Sequence, residues 1–309
     1  MPKVSAVIPV YGEKHMERCV RSLLDQTLDD IEFIFVDDRS PDSAYEIMLR
    51  IVEEGRYSHL KDKIKIVRHE RNRGVPAVRR TGVEASSGDY IYFCDSDDWL
   101  DREMLRKLWE KAVEGDYDLV ECSYYETDGK EYCKERGCPT GINLWKEWIK
   151  WPCCTSLLNK VFKRSLFEKG IIWPEQPYLE DFSVSLQLYY YAKKACYIDE
   201  PLYYYYQNPS SIMHSAGSGR KVPGLVEQER IMEAFMRREG QYDKYRSFLM
   251  KLKAEAIAEA WNLPRKEFLK VFPEDRLKVM FSSKVPLKVR LGILTKVLGI
   301  HGISGKKRS

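Results

Sequence analysis

Tyr90-Ile91-Tyr92-Phe93-Cys94-Asp95-Ser96-Asp97-Asp98 is an apolar run that stops abruptly on three carboxylates within four positions. A short continuous apolar run of β-forming residues is the form taken by a strand buried on both faces. The same form recurs upstream at Val4–Val10, Ile31–Val36 and Ile64–Val67, and downstream at Leu119–Cys122. Between these runs the period changes. Met16, Cys19, Val20, Leu23 and Leu24 recur at helical spacing, as do Met104, Leu105, Leu108 and Val113, and Ala44–Val52 and Val75–Ala85 read as helices. Ser40-Pro41 predicts an N-cap and first helical residue ahead of Ala44. Strands alternating with helices imply an α/β fold around a mostly parallel, doubly wound sheet.

From Tyr124 to Pro177 the alternation weakens, punctuated by Gly137, Pro139, Gly141 and Pro152. Leu157–Phe167 and Phe182–Ala192 predict helices, and Cys196–Tyr206 an aromatic strand or hairpin. Beyond Pro209 the pattern turns helical, over Val222–Trp261 and Phe268–Leu298, which places a boundary near residue 215.

At 309 residues, with 44% apolar, 12% aromatic and 32% charged residues, the chain has the composition of a globular protein with a sizeable core. No stretch approaches the 18 uninterrupted apolar residues of a membrane-spanning helix. Met1-Pro2-Lys3 runs directly into a strand with no signal-peptide core, so the expected compartment is the cytoplasm. The eight cysteines then stay reduced. Cys133 and Cys138, and the adjacent Cys153-Cys154, lack zinc-ribbon spacing and read as inert thiols. Charge is unevenly placed: Arg276–Ser309 holds nine Lys/Arg and no acid, so a net charge of +4 leaves the preceding 275 residues at −5. An acidic body argues against nucleic acid as a partner.

In an open parallel sheet, ligands bind beyond the carboxyl ends of the strands. Tyr11, Asp37-Asp38, Asn72-Arg73-Gly74 and Asp95–Asp98 all fall at such ends. The acidic cluster suits Mg²⁺ or Mn²⁺, which bind through one or two carboxylates plus substrate phosphates; Asp98 or Asp101 has the alternative role of capping the next helix. One of Asp37 and Asp38 reads as a helix cap and the other as an acceptor for a base or ribose. Tyr11 is placed to stack on a base or to fill the turn. Arg79 and Arg80 lie about 100° apart on one helix, so only one faces the site. Arg79 is the preferred one, to pair with a diphosphate; the alternatives are a solvated face residue or a partner for Asp95. Glu180-Asp181 opens a helical run, where acids favour the dipole; the functional reading is a general base.

Taken together, these motifs resemble glycosyltransferase family 2, inverting nucleotide-sugar transferases of the GT-A type fold. The resemblance spans Val4 to His214. It rests on V-I-P-V-Y (Val7–Tyr11), V-D-D-R-S (Val36–Ser40), N-R-G (Asn72–Gly74), D-S-D-D (Asp95–Asp98) and L-E-D (Leu179–Asp181), in that order. It implies a nucleotide-binding half over about 1–122, an acceptor-binding half over about 123–215, and a helical extension over 216–309. It further implies nucleotide contacts at Pro9, Tyr11, Glu13, Asp38, Arg79 and Asp95. Asp97 would be the principal ligand of Mn²⁺ or Mg²⁺, with Asp95 beside it and His214 as a candidate second ligand, its alternative being a merely exposed His. Asp181 would be the catalytic base, with Glu180 beside it to orient the acceptor or the base. The chain departs from the pattern at Gly12-Glu13, at Arg80 where Asn is common, and at Gln207 where Arg is common. The implied donor is a nucleotide sugar with uracil as its base, and the acceptor a glycan or lipid-linked sugar. The rival readings are a nucleotidyltransferase, which needs a Gly-rich phosphate loop absent after Val10, and a non-catalytic nucleotide-sugar-binding module. Pro286–Leu298 alternates basic and apolar positions; its functional reading is peripheral contact of residues 284–309 with an anionic membrane, and the alternative is a helix packed on its domain with the basic residues solvated.

Overall fold

A computed structural model describes residues 1–12, 14–128, 132–135, 155–208, 217–283 and 285–298, with the side chains of 132–135 left aside. The chain divides into two compact units, Met1–Ser211 and Ile212–Ser309.

The first unit is built on a sheet with nine strands among the described residues: β1 (Val4–Val10), β2 (Ile31–Asp37), β3 (Ile64–Arg68), β4 (Tyr90–Phe93), β5 (Trp99–Leu100), β6 (Leu119–Thr127), β7 (Tyr132–Glu135), β8 (Lys160–Lys163) and β9 (Ala195–Tyr206). They lie in the order β3-β2-β1-β4-β8-β6-β9-β5, with β7 paired to β6. The first four are mutually parallel, and Val4 faces Ile31 on one side and Tyr90 on the other. Every residue of β1 and β2 is buried, the consequence of helices on both faces. Those helices are α1 (Met16–Leu24), α2 (Ala44–Val52), α3 (Val75–Ala85) and α4 (Met104–Glu114), joined later by α5 (Glu180–Tyr191). The apolar stripe read on α1 is buried throughout. α3 lies so close to β1 that a Cβ on Gly82 would stand 2.1 Å from the Val7 side chain. Only glycine permits that approach, and it fixes the depth at which α3 sits.

Two local expectations are corrected. Leu157–Phe167 is not a helix. β8 occupies its middle, antiparallel to β4 and β6 (Ile91 opposite Phe162, Val120 opposite Val161), and a 3₁₀ turn follows over Arg164–Lys169. Its apolar positions fit either period, and two unsatisfied strand edges decide for β. Ser40-Pro41 does not start α2. Asp37 Oδ1 accepts the Ser40 N–H at 3.0 Å, and Asp42 Oδ1 accepts the Ser40 hydroxyl at 2.7 Å and the Ala44 N–H at 3.1 Å. These side-chain turns hold the segment out of the helix until Ala44.

The second unit is helical: α6 (Ser218–Arg238), α7 (Tyr242–Glu259), α8 (Arg265–Phe268), α9 (Arg276–Phe281) and α10 (Leu287–Leu298). Gly240, at φ 67°, breaks the long predicted helix in two. Its core gathers Ala256, Ile257, Phe268, Phe272, Val279 and Ile293. No helix among the described residues is long and apolar enough to cross a membrane.

Candidate active site

The parallel register sets Val10 beside Asp37 and Val7 beside Phe93, so the segments after β1, β2 and β4 emerge along one edge. Pro9 is buried within β1, opposite Val36. The half-exposed Tyr11 follows it, and its carbonyl accepts the Ser96 hydroxyl at 2.9 Å. That bond joins the first strand end to the acidic loop.

Asp38 is buried and heavily used. Its Oδ1 accepts the Arg73 N–H at 2.9 Å and lies 2.7 Å from His69 Nδ1, while Oδ2 accepts the Gly74 N–H at 2.7 Å. His69 Nε2 is in turn 3.0 Å from the Thr81 hydroxyl. The carboxylate thus organises the Asn72-Arg73-Gly74 turn, where Gly74 adopts φ 83° immediately before α3. Asp37 makes the Ser40 turn and an ion pair with Arg68 at 2.7 Å, so neither acid caps α2.

Arg79 is the centre of the site. Its guanidinium is 2% exposed. Nη2 donates to Asp95 Oδ1 at 2.9 Å, Nη1 donates to Glu180 Oε1 at 2.9 Å, and Nη1 also pairs with Asp181. Its donors are aimed at carboxylates, Asp95 among them. Burial disfavours its charge, yet Asp95 and Glu180 outweigh that and hold it firmly protonated. Arg80 points outward and pairs with Glu84 at 2.8 Å. Burial raises the Glu180 carboxyl above the usual range, with Arg79 opposing. Asp181 Oδ2 accepts the Leu157 N–H at 3.2 Å. The pair is delivered by Leu179, a non-glycine residue in the left-handed region at φ 59°. Such strained backbone is characteristic of functional positions.

The loop after β4 divides its acids by task. Asp97 is part-exposed; Oδ2 accepts from Asn208 Nδ2 at 3.1 Å, and its carbonyl accepts from Arg18 Nη2 at 2.9 Å. Burial, and then the Asp95 charge, raise its carboxyl above the usual range. Asp98 does not cap α4. It is buried, accepts the Tyr206 N–H at 2.7 Å and the Tyr203 hydroxyl, and so ties the loop to β9. Nor does Asp101 cap α4: its Oδ1 accepts the N–H of Glu103 at 2.9 Å, in the turn ahead of the helix, which has no side-chain cap. Arg18 and Asn208 escaped the sequence reading: no spacing joins α1 or the end of β9 to Asp97. Arg18 is held by its stack on Trp99, 3.4 Å from the ring centroid. Gln207 turns instead to Glu126, at 2.9 Å. Glu13 and His214 lie outside the described residues, as do Cys138, Cys153-Cys154 and the Cys133 side chain. Cys19, Cys94 and Cys122 are free and buried, and burial pushes the thiols of Cys94 and Cys122 up, away from thiolate chemistry.

The donor set suits a hard divalent cation. Asp95 and Asp97 are close enough for one charge to oppose the other, a repulsion that a bound cation relieves. Among the described residues no three His, Cys, Asp or Glu side chains converge as a closed cage. One or two carboxylates, with the shell completed by water and substrate phosphate, is the arrangement Mg²⁺ and Mn²⁺ favour.

Comparison with known proteins bears on the family and the fold. The sequence pattern of Glycosyl transferase family 2 matches residues 5–169, a little over half of the chain. The uncharacterized glycosyltransferase EpsJ of Bacillus subtilis (strain 168) is 30% identical over 231 residues, or 69% of this chain and 63% of its own length. The chain therefore matches somewhat less than two thirds of that relative. Among solved structures, S. aureus TarS 1–349 in complex with UDP-GlcNAc superposes with a TM-score of 0.63 at 19% identity, covering 96% of this chain and 92% of that one. A mannosyltransferase from Pyrobaculum calidifontis, in complex with GDP-Man and Mn²⁺, superposes with a TM-score of 0.54 at 13% identity, covering 96% and 86%. These two likenesses bear on the fold, which is of the GT-A type. The chain belongs to glycosyltransferase family 2.

Proposed function

We propose that this chain transfers a sugar from a nucleotide-sugar donor, UDP-linked, to a hydroxyl of a glycan or lipid-linked acceptor, with inversion at the anomeric carbon. The observation that carries the reading is the Arg79 clamp, which binds the strand-end acid Asp95 and the Glu180-Asp181 pair into one unit. Donor-side and acceptor-side chemistry need that proximity, because the acceptor must lie against the donor's reactive carbon.

Asp181 takes the proton of the acceptor hydroxyl. The acceptor oxygen then bonds to the anomeric carbon on the face opposite the diphosphate, and the carbon–oxygen bond to the diphosphate breaks with its electron pair leaving on the diphosphate. Glu180, held by Arg79, orients the acceptor. Asp97, with Asp95 beside it, would hold Mn²⁺ or Mg²⁺; the ion supplies positive charge to the departing nucleoside diphosphate. Tyr11 and the Asp38-organised turn would border the base, and Glu13 belongs to the same proposed group. His214 is proposed as a further metal ligand. The proposed setting is the cytoplasm.

Calorimetric titration of UDP, GDP and dTDP, with Mn²⁺ and with chelator, tests the donor side. One nucleotide is expected to bind in a metal-dependent manner, and Asp97→Ala to abolish it. Asp181→Asn should then lower turnover by about 10²–10⁴-fold with nucleotide binding intact. Binding to none of the three nucleotides, or near-normal turnover in Asp181→Asn, overturns the assignment.

A further inference from the structure

α10 is pinned to its unit by one face only. Gly292 lies against the Trp261 ring, where a Cβ would overlap it, and Ile293 is buried in the unit's core. Around that face the helix is fastened by polar contacts. Lys296 Nζ donates to the Trp261 carbonyl at 2.9 Å, Arg265 Nη2 to the Val297 carbonyl at 2.7 Å, and Arg290 Nε to the Met280 carbonyl at 2.7 Å. These contacts fix the roll of the helix about its axis.

With that roll fixed, a second apolar face is left outside. Leu287, Leu291, Leu294 and Leu298 are 62%, 54%, 39% and 60% exposed. At 100° per residue they fall within about 60° of one another, a narrow ridge running the length of the helix. α9 adds Leu277 and Phe281, one turn apart and also exposed. Six large apolar side chains left in water over two short helices exceed the scattered exposure that needs no explanation.

Charge selects what covers them. The segment Arg276–Ser309 carries nine Lys/Arg and no acid. Lys288 is exposed on the same helix as the apolar ridge, and Lys278, paired with Asp275 at 2.8 Å, is exposed on the neighbouring one. The 4-3-4 spacing of the leucines would suit a second copy of this helix, but self-pairing brings two uniformly basic segments together, at an electrostatic cost. An anionic bilayer accepts the apolar ridge and gains from every lysine and arginine beside it.

We infer that α10, with α9, docks this chain on anionic lipid. The leucine ridge enters the acyl boundary and the basic residues lie at headgroup level. This goes beyond the transfer chemistry and does not depend on it.

Co-sedimentation of the full chain with vesicles of phosphatidylcholine alone, and of phosphatidylcholine with 30% phosphatidylglycerol, decides the matter. Binding is expected on the anionic vesicles, weakened by 0.5 M NaCl and at least about tenfold weaker on neutral ones. Leu291→Glu/Leu294→Glu should lower it at least about tenfold. Both positions are solvent-facing, so the variant should keep the wild-type melting temperature and its activity on a water-soluble acceptor. No vesicle binding, equal binding to both vesicle types, or binding unchanged in the double variant overturns the inference. So does a concentration-dependent dimer that the double variant abolishes, which would assign the ridge to a second copy.

Discussion

Replacing Arg79 by methionine isolates the role of the clamp. Methionine fills much of the same volume without charge, so what is removed is the cation among three carboxylates. Breaking a buried ion pair from one side costs about 3–5 kcal/mol, because the partner charge is stranded. Here the stranded side chains of Asp95, Glu180 and Asp181 are 32%, 16% and 19% exposed. Water reaches each of them in part, which places the loss near the lower end, at about 3 kcal/mol. For a unit of this size that corresponds to a fall in melting temperature of about 6–12 °C, read by calorimetry. Arg79→Met/Glu180→Gln, with one charge fewer to strand, should regain part of that loss. The second readout is kinetic. Burial already raises the Glu180 carboxyl and Arg79 opposes the rise, so its removal lets Glu180 hold its proton to higher pH. A base must be ionised to act, and Asp181 loses the same guanidinium, so the acid limb of kcat/KM should move upward. Arg79→Lys keeps the charge and should leave the limb near its wild-type position. An Arg79→Met protein that melts within 2 °C of wild type, with an unmoved acid limb, would refute the clamp.

Asp98 should tolerate asparagine and not alanine. In Asp98→Asn the side-chain amide can still accept the Tyr206 N–H and donate to the Tyr203 oxygen, whereas Asp98→Ala strands both β9 groups at a cost of about 2–4 kcal/mol. Urea unfolding that ranks the two variants as equals would dismiss the tie. In the second unit, Glu229, Glu233 and Asp275 share Lys253, at 3.4 Å, 3.0 Å and closer contact respectively. Burial, with Glu233 adding and Lys253 opposing, pushes the Glu229 carboxyl from 4.5 up to about 7. The folded state then holds a proton that the unfolded chain has lost, so this contribution is fully present below about pH 4.5 and disappears as pH rises through 7. The loss is at most about 3.5 kcal/mol. Glu229→Gln should flatten the fall in melting temperature between pH 5 and 8, and an unchanged slope would remove Glu229 as its source.

The parallel half of the sheet was legible because a strand buried on both faces has almost no freedom of composition: β1 and β2 could hardly be written otherwise. The acids at the strand ends were legible for a related reason, since a carboxylate directly after such a run stands where ligands bind. Legibility failed wherever an assignment depended on something distant in the chain. Leu157–Phe167 reads as a helix until the edges of β4 and β6 are known to flank it. Asp98 reads as a cap until Tyr203 and Tyr206 arrive from more than a hundred residues away. Arg18 and Asn208 carry no local signal at all. The same distance hid the most consequential feature. Asp95 and Glu180-Asp181 look like separate motifs with separate tasks, 85 residues apart, each open to its own substitution. Through one guanidinium they share a charge balance, so removing any one changes the ion pairing of the others. Their single-substitution effects will not add, because residues joined in one ion-pair network rarely behave independently. A reading that assigns metal binding to one acid and proton transfer to another describes end points; the energy that sets both is held in common at Arg79.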